Sequence, residues 1–186
     1  MNYPFASAII TFMRYGVAES FMESIVSVCE NYPPQALNCL MNHIGTHDTA
    51  RILTSLIYDS IEHKPRHIQA KTQLTNEEYQ KAKTLLKTAA VLQYTLPGFP
   101  SVYYGDEAGV EGGRDPFCRR TYPWGREDRE LLEHYKKLGA LRKDPIFADG
   151  NFKVIDSGVG YIIYERSLGD RRITVISNVS GMDMET

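Results

Sequence analysis

The stretch Leu40-Met41-Asn42-His43-Ile44-Gly45-Thr46-His47-Asp48-Thr49-Ala50-Arg51 decides how the rest of the chain is read. Cys39, Leu40 and Met41, with Ile44 beyond, predict a brief buried strand, and Ile52, Leu53, Leu56 and Ile57 follow at helical spacing. A strand, a turn and a helix opened by Asp48 therefore meet at His47 and Asp48. In strand-then-helix folds, side chains at the carboxyl end of a strand converge on a cleft without being needed for packing, so ligands and chemistry collect there. The same residues also have a purely local reading. Asp48 then caps the helix by accepting a bond from a first-turn N–H, Arg51 is a solvated neighbour, and His47 is a partly buried structural histidine.

Upstream, Phe5, Ala8, Ile9, Phe12 and Met13 form one helical stripe ending at Gly16, and Phe21, Ile25, Val28, Cys29 and Tyr32 form another ending at Pro33-Pro34. Downstream, the polar stretch Ser60–Gln73 holds His63 and His67, four apart; Pro65 between them and the lack of a framing carboxylate argue against a metal site. Thr75-Asn76-Glu77-Glu78 is a capping box for a helix running to about Thr95. Pro97-Gly98 ends it, and Ser101-Val102-Tyr103-Tyr104 predicts a second buried strand closed by Gly105. The loop Asp106–Arg120 is long and polar for a connection, and long ordered loops are usually functional. Asp115 and Arg119 in it offer an acceptor and a forked donor for hydroxyl groups; the alternative is a solvated loop with internal ion pairs. A helix over Asp128–Arg142 follows. After Pro145 the period becomes two, with strands at Phe152–Ile155, Tyr161–Tyr164 and Arg172–Ile176.

Composition narrows the classes. The 186 residues are 42% hydrophobic and 24% charged, too apolar for disorder. Acidic side chains number 23 against 21 basic ones, so the electrostatic footprint of a nucleic-acid binder is missing. No apolar run approaches the ~20 residues of a membrane span. Cys29, Cys39 and Cys118 form neither a disulfide framework nor a C-x-x-C zinc pair. Cys29 and Cys39 are expected in core or strand positions. Three unpaired thiols point weakly to a reducing, cytoplasmic compartment.

Four stretches in order jointly resemble the alpha-amylase family, glycoside hydrolase family 13, in its neopullulanase and cyclomaltodextrinase-like branch. They are Met1–Phe5, Asn42–Thr49, Pro97–Glu107, and Gly112–Arg120 continued to Pro123-Trp124. The resemblance implies an α/β fold: the C-terminal part of a (β/α)8 TIM barrel, strands 6 to 8 with their helices, over residues 1–144. The start of an antiparallel β domain is expected over 145–186. Strand 7 would end at His47-Asp48, and strand 8 would lie around Val102–Tyr104.

The resemblance also implies a mechanism with three carboxylates on an alpha-glucan oligosaccharide. One aspartate attacks the anomeric carbon, a glutamate protonates the leaving oxygen, and a third carboxylate holds the reacting sugar. By the motif match Asp48 is that third group, the transition-state stabiliser, and His47 bonds the same sugar. Asp115 and Arg119 would bind the next sugar on the non-reducing side, with Asn42 and Glu107 supporting the cleft. No cofactor is implied; relatives bind calcium elsewhere, and no calcium site is read here. The nucleophile and the acid belong to segments before strand 6, and Glu19, Glu23 and Glu30 lie on or beside amphipathic helices. The chain is therefore expected to be inactive alone and prone to self-association through open barrel edges. A non-catalytic glucan-binding protein and part of a glucanosyltransferase are the competing readings.

Overall fold

The computed structural model describes residues 1–182. Helix α1, Tyr3–Tyr15, starts where the Asn2 side chain accepts from the Phe5 N–H, and it stops at Gly16. Gly16 has φ +65°, and its α-carbon approaches the Gly160 turn so closely that Gly160 N–H donates to the Gly16 carbonyl at 2.9 Å. Only glycine meets both demands without a steric penalty. Helix α2 is Ala18–Asn31 and the single turn α3 is Pro34–Leu37. Strand β1, Met41–Asn42, is followed by α4, Ile52–Ile57, then by α5, Arg66–Lys71, and the long α6, Asn76–Thr95. Strand β2 is Phe99–Pro100, α7 is Arg129–Leu141 and α8 is Pro145–Ala148. Three eight-residue strands end the described chain: β3, Asn151–Gly158; β4, Tyr161–Leu168; and β5, Arg171–Asn178.

Strands β1 and β2 pair in parallel, with Met41 opposite Phe99 and Asn42 opposite Pro100. On the other side of β1, the Asn2 N–H donates to the Met41 carbonyl at 2.9 Å and its side chain to Asn42 Oδ1 at 2.9 Å. Parallel strands need a crossover between them, and α4 to α6 supply it. Buried Gln93 of α6 locks the pair by donating to the carbonyls of Asn42 and Ser101 at 3.1 and 2.8 Å. Strands β3, β4 and β5 form an antiparallel meander whose Ile162, Tyr164 and Val175 share one apolar core with α1, α2, α4 and α6. No helix among the described residues is long and apolar enough to cross a membrane. Of the β unit expected over 145–186, residues 183–186 lie outside the described part.

Several expectations are corrected. The second strand lies at Phe99–Pro100 instead of Ser101–Tyr104, because the chain leaves the pairing after Ser101 and turns at Gly105, φ +89°. The helix after His47-Asp48 begins at Ile52. Thr46 Oγ1 takes the N–H groups of Asp48 and Thr49 at 3.2 Å each, and the Arg51 N–H goes to the Gly112 carbonyl, so the segment is a turn and Asp48 caps nothing. Arg51 is fully buried, not solvated. Cys39 is exposed, on a turn after α3 whose N–H bonds Ala36; Cys29 is half-buried. The capping box at Thr75 and Glu78 forms as expected. Replacing Thr75 with Ala should lower stability by about 1 kcal/mol, read from the urea midpoint, and no shift would show the cap is redundant.

Candidate functional site

The Thr46 turn presents His47 and Asp48 at the carboxyl end of β1, and the loop after β2 returns to meet them. The His47 carbonyl accepts from Cys118 Sγ at 3.0 Å and from Arg119 Nε at 3.1 Å. Arg119 then reaches both carboxylates: its Nη2 is 3.5 Å from Asp48 Oδ1 and its Nε is 2.7 Å from Asp115 Oδ1. His47 Nε2 is 3.3 Å from the same Asp48 oxygen. Thus the four residues singled out from sequence, His47, Asp48, Asp115 and Arg119, form one cluster although the chain between Asp48 and Arg119 runs through two-fifths of its length.

Their side chains are 48 to 61% exposed. Ion pairs so wet contribute little to stability. They leave a carboxylate with acceptor capacity and a guanidinium fork with spare donors facing solvent, which suits a polyhydroxylated ligand. Asn42 and Glu107 stand apart from this cluster. Buried Asn42 donates to the Pro97 carbonyl at 2.8 Å, and Glu107 accepts from the Gly105 N–H at 2.8 Å, so both brace backbone. His63 and His67 sit on separate elements, and no group of three metal-ligating side chains gathers among the described residues.

Sequence reasoning missed what lies beneath the cluster. Arg51 and Asp106, 0% and 1% exposed, pair at 3.1 Å across the join between the β1 turn and the β2 loop. Burial pushes the Asp106 carboxyl up to about 7, against the pull of the Arg51 guanidinium beside it. Its Oδ2 has no hydrogen-bond partner among the described residues, and a Cβ on Gly45 would stand 2.3 Å from that oxygen. The signal was present in Gly105, beside Asp106, and in Gly45, whose missing side chain leaves room for the Asp106 carboxylate, but its meaning needs the two segments side by side.

No family model matches the chain. It is 39% identical over 160 residues to an amylopullulanase of Thermoanaerobacter thermohydrosulfuricus, which covers 77% of this chain and 10% of that protein. It is 32% identical over 187 residues to a cyclomaltodextrinase of Geobacillus thermopakistaniensis, covering 97% of this chain and 28% of the relative. Among solved structures, the cyclic alpha-maltosyl-(1→6)-maltose hydrolase of Arthrobacter globiformis in complex with that cyclic sugar aligns with a TM-score of 0.76 and 25% identity, over 96% of this chain and 36% of that one. The chain therefore spans between a tenth and about a third of the length of these proteins. With this agreement in sequence and in backbone, the chain belongs to the alpha-amylase family, in its neopullulanase and cyclomaltodextrinase-like branch.

Proposed function

We propose that these residues form the substrate-gripping part of a retaining glycoside hydrolase acting on alpha-1,4 or alpha-1,6 glucosidic bonds of starch-type glucans. The observation that carries the reading is the convergence of Asp48, His47, Asp115 and Arg119 at one strand end. The relatives' names, amylopullulanase and cyclomaltodextrinase, supply the substrate class. In this reading Asn2, β1 and β2 continue barrel strands 6, 7 and 8, residues 1–144 are barrel, and 145–186 open a β domain.

Asp48 accepts from hydroxyls of the reacting glucose, and His47 bonds the same ring. These contacts strengthen as positive charge grows at the anomeric carbon, so they favour the transition state over the bound sugar. Arg119, held by Asp115, donates to the adjoining glucose. In this chemistry a nucleophile aspartate and an acid glutamate flank one bond at ~5 Å, and neither role is assigned to a residue of this chain.

The test is a maltotriose titration of the purified chain. Asp48→Ala should weaken binding about 10- to 100-fold, the loss of a charge-assisted hydrogen bond. Equal binding by wild type, Asp48→Ala and Arg119→Ala would remove the site. Release of reducing sugar from soluble starch that disappears in Asp48→Ala would show that the catalytic pair is present after all.

A further inference from the structure

Arg51 does more than pair with Asp106. Its Nε donates to the Cys118 carbonyl at 2.6 Å, and its Nη1 donates to the Tyr104 carbonyl and, at 3.1 Å, to Asp106 Oδ1. Its guanidinium carbon lies 4.2 Å from the centre of the Tyr103 ring and 4.7 Å from that of Tyr104. The Arg51 backbone N–H donates to the Gly112 carbonyl at 3.0 Å, and Thr54, three residues on, accepts from the Gly112 N–H at 2.9 Å. One side chain and its adjoining turn thus touch the β2 loop at Tyr104, Asp106, Gly112 and Cys118, while the same turn presents Asp48 three residues earlier.

A fully buried guanidinium is costly to desolvate, and an apolar side chain of similar volume would often serve stability as well or better. What an apolar side chain lacks is a planar fork that bonds several fixed acceptors at once. Here most of those acceptors are backbone carbonyls, so the fork sets where the loop backbone runs, not merely how two charges pair. Arg119 follows Cys118 directly and Asp115 precedes it by three residues, so the position of the Cys118 carbonyl sets where both functional groups stand relative to Asp48. On the surface side Asp48 and Arg119 contact each other only at 3.5 Å, and the His47 carbonyl accepts from Cys118 Sγ at 3.0 Å and half-exposed Arg119 Nε at 3.1 Å, so these contacts add to a register that the buried fork sets.

We infer that Arg51 is a positioning residue: from the buried side it holds the loop that carries Asp115 and Arg119 in register with Asp48, and so sets the spacing between the two sugar-binding positions. The register claim stands on the contacts above; its consequence for sugar rests on the glucan-binding reading.

The experiment compares backbone amide exchange and maltotriose affinity in the full chain for wild type, Arg51→Lys and Arg51→Ala. Lysine keeps a positive charge beside Asp106, and with it the fold, but has no planar fork. In both variants amides of residues 112–120 should exchange at least tenfold faster while those of α6 and β4 keep their protection, and maltotriose should bind at least tenfold more weakly. Millimolar guanidinium, filling the space left against the Tyr103 and Tyr104 rings in Arg51→Ala, should restore loop protection and affinity, and methylammonium should not. A purely structural role would speed exchange across the whole chain together, without selective rescue, and would overturn the inference. So would unchanged loop protection in Arg51→Lys. Should wild type fail to bind maltotriose while the loop still loosens in both variants, the glucan reading falls and the positioning role of Arg51 stands.

Discussion

Replacing Arg166 with Ala is expected to lower the unfolding free energy by about 3 kcal/mol or more, measured by urea denaturation. Arg166 is fully buried on β4, and among the described residues it forms no ion pair with a carboxylate. Its guanidinium donates to the carbonyls of Thr95 at 2.8 Å, Gly150 at 2.8 Å, Phe147 at 3.2 Å and Asn151 at 3.3 Å. It therefore ties the meander to the carboxyl end of α6 and to α8. Truncation strands those acceptors away from water, and each unsatisfied buried group costs about 1–3 kcal/mol. Arg166→Met separates this from packing, because it restores much of the volume and none of the donors. Methionine and alanine should thus both be destabilising, and a loss below about 1 kcal/mol in both would mean water replaces the guanidinium. Burial and the neighbouring Arg142 charge bring the Arg166 guanidinium down to about 10, so it stays charged at neutral pH.

The second large effect is on pH dependence. Asp106 holds its proton to about 7 in the folded chain, against an ordinary value of 3.8. Between those values the folded state binds more protons than the unfolded one, so this group makes stability fall as pH rises, and the fall stops above about 7. The integrated effect is about 4 kcal/mol. Buried His43 and half-buried His134 titrate in the opposite sense, since desolvation lowers both and makes their protonation at acid pH destabilising. The difference between wild type and Asp106→Asn isolates the carboxyl. Asp106→Asn should gain on wild type by several kcal/mol between pH 4.5 and pH 8. A difference flat with pH would mean that the Arg51 charge outweighs burial and keeps Asp106 ionised throughout.

This pair also shows why part of the site was illegible in the linear chain. His47, Asp48, Asp115 and Arg119 could be picked out because their residue types, at a strand end and in a long polar loop, already state what they can bond. Arg51 could not. Its neighbours Thr49 and Ala50 and the helix beyond give a charged residue every reason to face water, and only the return of residues 104–118, more than fifty positions later, covers it. The same return turned an expected helix start at Asp48 into a Thr46-centred turn, because the Arg51 N–H found Gly112 instead of a helical carbonyl.

Legible along the linear chain were local features: the helical stripes before Gly16 and Pro33, the capping box at Thr75, the period-two meander after Pro145, and the chemical capacity of the four surface residues. Those follow from nearest-neighbour geometry and side-chain chemistry, which a linear pattern encodes. The two-residue extent of the parallel pairing, the burial of Arg51, Asp106 and Arg166, and the gathering of Asp48 with Arg119 came only with long-range packing. Each depends on which distant backbone carbonyl excludes water from which donor, and hydrogen-bond partners so far apart in the chain leave no periodic trace along it.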